Sequence, residues 1–532
     1  MALIQNSPIM HNTNCNLLQW LQRLRRYGPA AAAISLCMNV GCHAWQKSHE
    51  AAVSHFSSGE IEVSREALEK SQKAFHAEKN LLELEQGILD LASGDVKHAE
   101  GRFRTMRREL EHLEQPDVAE QTASMMTDSR AVAFSGRDFE RRMVLNLALL
   151  TSILGNGQDS FAYTTQVTTA AADRKEALAA AASHSENSAN IANIDKPADD
   201  VGRARISPAS FSATASAGDP ASMAGQSSTA VIVASPLDQP LALSAYLAAA
   251  VQSETPTRLE HTERALDDIG FWNPAFHRHN ATASQGKFGT LCGRGNGTLH
   301  IIALVGKAPR WVSEPAEPTS AALLIADRII SITGKHTLPP TIAAVKIARP
   351  EPSPSVLPRG SLRCSVASAA NSEPAAAPAS TLIFSTAVDL NEVAMASYHE
   401  HRDEELAAAV ARRVLKKGAI YVLKETQNIH RNSWVDLGVN VAGVVWESLE
   451  KPDTRSWRML PARIDIAHTE LPAGDWTTTL NLSSYGGAGS SQVVPVRIED
   501  GRNTFVVCII PEHRLTGHIL VGGADRTTIP VK

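Results

Sequence analysis

Asp453, Arg455 and Trp457 stand two residues apart in the run Asp453-Thr454-Arg455-Ser456-Trp457. In an extended segment such residues share a face, so a carboxylate, a guanidinium and an indole would line up with Arg455 in the middle. The row can be structural, with Arg455 holding Asp453 by charge-assisted hydrogen bonds and stacking on Trp457. It can instead receive an anionic ligand, a carboxylate or a phosphate, if Asp453 has not already consumed the guanidinium. An acid two residues away is the strongest competitor, and the structural reading is preferred. Pro452 and Pro461 bracket the run and fix its direction.

Other runs invite chemistry less well. Cys292-Gly293-Arg294-Gly295-Asn296-Gly297 is glycine-rich, but it lacks the Gly-x-Gly-x-x-Gly spacing and precedes a strand, so it reads as a flexible loop and not as a phosphate cradle. His399-Glu400-His401 falls on a predicted helix, where residues two apart face differently, and reads as a solvated face. His277-Arg278-His279 would bring two rings together only if extended. The cysteines are Cys15, Cys37, Cys42, Cys292, Cys364 and Cys508, without a Cys-x-x-Cys pair or the spacing of a zinc site. No Gly-x-Ser-x-Gly or Walker loop is present. No catalytic residue, cofactor or metal is therefore expected.

Cys42 itself ends the sharpest local pattern. Arg23, Arg25 and Arg26 precede an apolar stretch from Pro29 to Val40, and Val40-Gly41-Cys42 follows. This order of basic, apolar and small-residue segments looks like a signal peptide closed by a lipobox, although Asn39 stands where leucine is usual. It predicts export, cleavage and lipidation at Cys42; an uncleaved anchor and a short buried helix of a cytosolic protein are the alternatives. Three cysteines then remain in the mature chain, enough for one disulfide and too few for a framework.

The elements that must position these residues divide the 532-residue chain, which is too long for a single core. A formal charge of −5 leaves no electrostatic footprint for nucleic acid. Residues 43–180 carry helical periodicity, as in Leu81, Leu84, Ile88 and Leu91. Gly59-Glu60-Ile61 with Ser64 and Leu68 is echoed thirty-five residues later by Gly94-Asp95-Val96 with Ala99 and Phe103, close to the tetratricopeptide period, and a third, poorer copy begins at Gly157 with Asp159 and Ala162. An irregular helical bundle is the competing reading. Residues 181–236 are rich in Ala, Ser and Gly and read as a disordered insertion. Helices in 237–285 return to the helical part, and 286–532 forms a β-rich α+β domain with one long helix over 390–417. Strands are predicted at Ile342–Ile347 and Leu382–Ser385, among others. The tail from Arg463 reads as a small antiparallel sheet or sandwich, with a turn at Gly474-Asp475.

Several landmarks together resemble a family of uncharacterised bacterial envelope lipoproteins with a tetratricopeptide-like N-terminal half. They are Gly41-Cys42, Gly94-Asp95, Arg137-Asp138-Phe139-Glu140-Arg141, Gly306-Lys307-Ala308-Pro309, and Asp453-Thr454-Arg455-Ser456-Trp457 with Leu460-Pro461. The resemblance covers most of 42–175 and 237–480. It implies export, lipidation and a helical-plus-β architecture, and it offers no catalytic residues; Gly306 and Pro309 join the Asp453 run as motif residues read as structural. The expected function is a non-enzymatic lipoprotein of the cell envelope, facing the periplasm or exterior, whose helical repeats bind another envelope protein or peptide. An enzyme or polymer binder with a site in the β-rich domain is the alternative.

Overall fold

The computed structural model describes residues 45–74, 78–113, 133–194, 234–280, 287–333, 344–353, 357–369, 380–426, 451–483, 490–523 and 526–531. The expected signal segment with Cys42, and residues 195–233 of the expected insertion, lie outside the described residues.

Gly59 (φ 78°) and Gly94 (φ 84°) occupy the left-handed region that ends a helix at little cost only for glycine. Each turns one helix onto the next, α1 (45–57) onto α2 (Ile61–Ala74) and α3 (Lys79–Ala92) onto α4 (Val96–Leu113). The small residue five positions further on is buried in both hairpins. Ser64 donates its hydroxyl to Ala52 O at 2.7 Å, and Ala99 has no exposed surface. Gly157 likewise joins α5 (Asp138–Leu154) to α6 (Ser160–Ile194), but here Ala162 is exposed and Tyr163 is buried instead, so the third copy is not built as its sequence predicts. Helix α6 also continues past 180, where the apolar period ends. Alanine favours helix without needing a buried stripe, so loss of periodicity did not stop it.

Helices α7 (Gln239–Ser253), α8 (Leu259–Trp272) and α9 (Pro274–Asn280) follow, with α7 packed against α5, α6 and α8. From Pro240 to Ala250 every residue of α7 is buried. Its run of small and apolar side chains suits a helix enclosed on all sides.

The remaining elements are β1 (Asn296–Val305), β2 (Arg310–Ala316), α10 (Ser320–Thr333), β3 (Val345–Glu351), β4 (Leu362–Ser368), β5 (Ser380–Leu382), β6 (Ser385–Asp389), α11 (Leu390–Thr426), β7 (Arg463–Pro472), β8 (Gly474–Leu482), β9 (Ser490–Ile498), β10 (Asn503–Ile510), β11 (His518–Gly522) and β12 (Thr527–Pro530). They build a six-stranded sheet in the order β12-β11-β10-β1-β7-β6, a four-stranded sheet β5-β4-β8-β9, and a two-stranded antiparallel sheet β2-β3, with α11 packed on β3 and α10 on α11. Of the run expected at Ile342–Ile347, residues 345–347 lie in β3 and 342–343 lie outside the described residues; the run expected at Leu382–Ser385 is split between β5 and β6. Helix α11 runs through Gly418, since a single glycine costs only about 1 kcal/mol inside a helix.

The tail differs from the antiparallel sheet its sequence predicts. Strand β7 pairs with β1, β8 pairs with β4 and β9, and β10 lies parallel to β1 with Thr298 opposite Asn503. Gly474-Asp475 therefore marks a corner between two sheets and not a hairpin within one. Strands β7 and β10 are buried along nearly their whole length, and their local sequence does not choose a partner strand.

Alternation along β1 sends Ile302 and Leu304 to one face and Ile301, Ala303 and Val305 to the other. The first face joins one continuous core with Phe103, Leu147, Tyr246 and other helical residues; the second packs on Cys364, Leu480 and Val496 of the four-stranded sheet. The chain is thus a mixed α+β structure, with N-terminal helices and a sheet-rich C-terminal part joined in three layers.

Candidate functional site

Residues 453–459 have no regular secondary structure, and the helical layer holds them by their backbone. Glu85 of α3 accepts the Arg458 N–H through Oε1 and the Met459 N–H through Oε2, both at 2.8 Å. Glu140 of α5 accepts the Trp457 N–H at 2.9 Å and the Arg137 N–H at 2.7 Å. Burial raises the Glu140 pKa above the usual carboxylate value, against the lowering effect of those two amides. These carboxylates supply the ladder partners that an irregular buried segment lacks.

Arg455 binds Asp453, with Nη2–Oδ2 at 2.7 Å and Nε–Oδ1 at 2.9 Å, and reaches Glu78 at 3.3 Å. Burial works against its charge, but the bonds and charge of Asp453, then Glu78, outweigh that and raise its pKa. The row expected from sequence is not formed beyond this pair. The Arg455 guanidinium lies 5.8 Å from the Phe134 ring, while Trp457 packs on Phe103 at 5.9 Å. The cause is local: the Arg455 N–H also bonds Asp453 Oδ1 at 3.0 Å, a side-chain-to-backbone turn that bends the run.

The other motif runs converge here. Arg137 lies over the Trp311 ring at 3.3 Å and bonds Glu405 at 3.1 Å. Lys307 bonds Ser57 and Glu512, the Gly306 N–H bonds Ile510 O, and the Ala308 N–H bonds Leu460 O at 2.6 Å. Pro309 is buried and leads into β2.

On one side of the segment opens a cleft of about 370 Å³. Its walls include Trp45 and His49 of α1, Trp311 of β2, and Thr454, Ser456 and Arg458. His49 bonds Glu85 at 2.8 Å and stacks on Trp45 at 5.0 Å. The indole Nε1 atoms of Trp45 and Trp311 are buried without a partner among the described residues. A second cavity of about 250 Å³, lined by Phe134, Arg137, Glu405 and Asp453 among others, opens on the other side.

Arg458 differs from the other two arginines of the cleft. Arg310 is paired with Glu351 and Arg455 with Asp453, whereas the Arg458 side chain has no hydrogen bond or ion pair among the described residues. Burial lowers its pKa, only partly opposed by the charges of Glu85 and Glu50, and the nearby Arg310 lowers it further.

The remaining sequence candidates do not join the site. The glycine-rich loop is held in place: Glu470 accepts from Gly293 N–H and the Asn296 amide, and Asp500 from Gly295 N–H, so these amides are already occupied by carboxylates. His399 is exposed, and His401 bonds Ser397 O at 3.0 Å. His277 lies on helix α9 and not on an extended segment. Cys292, Cys364 and Cys508 are free thiols, and burial pushes Cys508 up to about 12. No group of metal-ligating residues occurs among the described residues, and none of the described helices is long and apolar enough to cross a membrane.

Sequence reasoning passed over Glu85, Trp45, Trp311 and Arg458. Only Arg458 carried a signal, its place directly after the Asp453 run. No family model, curated protein or solved structure matches the chain.

Proposed function

We propose that the chain is an exported, lipid-anchored binding protein of the cell envelope, and that the cleft between α1, β2 and residues 453–459 is its binding site. The carrying observation is the unpaired Arg458 at a cleft whose other arginines are paired. Such a cleft, with two tryptophans among largely polar walls and with uncommitted donors, suits a ligand better than it suits stability. The basic, apolar and Gly-Cys order before residue 43 supports the anchor at Cys42. Trp45 stands three residues beyond that cysteine, so a lipidated Cys42 keeps the cleft within ~10 Å of chain from the membrane surface.

The two glycine-turned hairpins support a tetratricopeptide-like pair, a class that commonly binds proteins or peptides on its inner surface. In this chain Glu85, Phe103 and Glu140, from α3, α4 and α5, already hold residues 453–459. The reading therefore assigns binding to the cleft beside that segment, with an envelope component as partner and no catalytic step.

Two measurements test it. Cys42→Ala is expected to abolish acyl labelling and release the chain from membranes; persistent labelling overturns the anchor. Capture from detergent-solubilised envelope is expected to fail with Ser313→Trp, which fills the cleft from the exposed strand β2. Equal capture by that variant overturns the assignment of the site.

A further inference from the structure

Thr454, Ser456 and Arg458 alternate along the held segment, and all three line the cleft. The intervening residues have other work: Asp453 and Arg455 pair with each other, and Trp457 packs on Phe103. The even-numbered side chains have none. Among the described residues the hydroxyls of Thr454 and Ser456 make no hydrogen bond, although Ser456 is only 4% exposed. Arg458 makes no side-chain bond either, and its Nε is buried without an acceptor.

Arg458 is partly buried; the carboxylates of Glu85, Glu50 and Glu351 act on its guanidinium by charge alone, none bonds it, and its buried Nε donor left unsatisfied is costly. Glu85 binds only the backbone N–H of residue 458, a bond that any residue but proline could make. The cost is recovered if an anion enters the cleft. A guanidinium offers a planar fork that matches two oxygens of a phosphate or carboxylate. Two hydroxyl donors lining the same cleft favour the anion with more acceptor oxygens, and with Arg310 and Arg455 already paired, Arg458 is the arginine of the cleft that can take it.

We propose that the cleft binds a phosphate group, held by the Arg458 fork and the hydroxyls of Thr454 and Ser456. This rests on the binding-protein reading above and names its ligand class. A phosphate can arrive on a phospholipid headgroup or on a soluble phosphate compound. The site contacts the same chemistry in both cases.

The test uses the full chain in detergent, titrated by calorimetry with inorganic phosphate, glycerol 1-phosphate and dihexanoyl phosphatidylglycerol, with acetate as a control. At least one phosphate probe is expected to bind, and Arg458→Met to weaken it about tenfold or more. Binding of the lipid probe alone assigns the headgroup; binding of all three assigns a soluble phosphate. Arg458→Lys, which keeps the charge and loses the fork, is expected to fall between. The melting temperature of Arg458→Met without ligand is expected to equal or exceed that of the wild type, which a structural arginine would not allow. The proposal is overturned if no phosphate probe binds at 10 mM (roughly −2.7 kcal/mol), if acetate binds as well as phosphate, or if Arg458→Met binds like wild type. Absent phosphate binding with capture still blocked by Ser313→Trp overturns the ligand class alone. Absent binding with capture unaffected overturns both readings.

Discussion

The Glu140 carboxylate accepts the N–H of Trp457 at 2.9 Å across 317 residues of chain. Its second oxygen takes the Arg137 N–H, one of the donors left over at the start of α5. Glutamine in this place keeps one carbonyl acceptor and turns an NH₂ group toward the other donor. Glu140→Gln is expected to lose about 1.5–3 kcal/mol, read as a lower urea midpoint at unchanged m-value. An unchanged midpoint would show that the second donor is satisfied without the carboxylate.

Arg455→Ala removes the counter-charge of Asp453 and Glu78 at once. Its side chain is 4% exposed, but Asp453 is 34% exposed and partly served by solvent. The expected loss is about 2–3 kcal/mol, toward the lower end for a broken buried pair. Asp453→Asn is expected to cost less. Equilibrium unfolding of both variants checks the order, and a reversed order would place the key contact of Arg455 elsewhere.

Trp457 is completely buried, yet its indole N–H has no partner among the described residues. Its contribution is therefore volume and ring contact, and its N–H adds nothing favourable. Trp457→Phe is expected to cost under about 1.5 kcal/mol, and Trp457→Ala about 3–5 kcal/mol. Thermal unfolding distinguishes them; equal losses would mean that the N–H is engaged after all.

His300 is held between Tyr246 Oη at 2.7 Å and Asn503 Oδ1 at 3.0 Å. Burial, then the neighbouring His468, lowers its pKa from 6.5 to about 3. As pH falls below about 6.5, the unfolded chain takes up a proton that the folded chain refuses. Stability is then lost at about 1.4 kcal/mol per pH unit until the folded pKa is reached. His300→Gln is expected to flatten this part of the profile between pH 6.5 and 4. If wild type and variant stay parallel across that range by calorimetry, His300 is not the buried group responsible.

The helix hairpins were legible because their determinants are local. Gly59 and Gly94 supply the turn, and Ser64 and Ala99 the close approach. The partition of strands between two sheets was not, since β7 and β8 are separated by Ala473 alone, with no longer connection to mark the change of sheet. The Asp453–Arg455 pair was readable from spacing, but the bend at Asp453 that turns Trp457 toward Phe103 was not. Glu85 drew no notice and Glu140 was only one member of a motif run; the backbone that both of them bind lies more than three hundred residues away. Arg458 stood next to the most distinctive run in the chain, and no one-dimensional pattern reports that its guanidinium is unpaired.

The parallel pairing of β1 with β10 also bears on the order in which the chain can be made. When a ribosome delivers β1, its lateral neighbours β7 and β10 have not yet emerged, and β10 comes last of the three. Until then the strand that will lie at the centre of the six-stranded sheet has two open edges and two apolar faces, a state prone to aggregation. The inner face of the already formed helices lacks its sheet for the same interval. Completion must wait for the C-terminal strands, and premature stops before Asn503 should yield degraded protein instead of a shortened, working one.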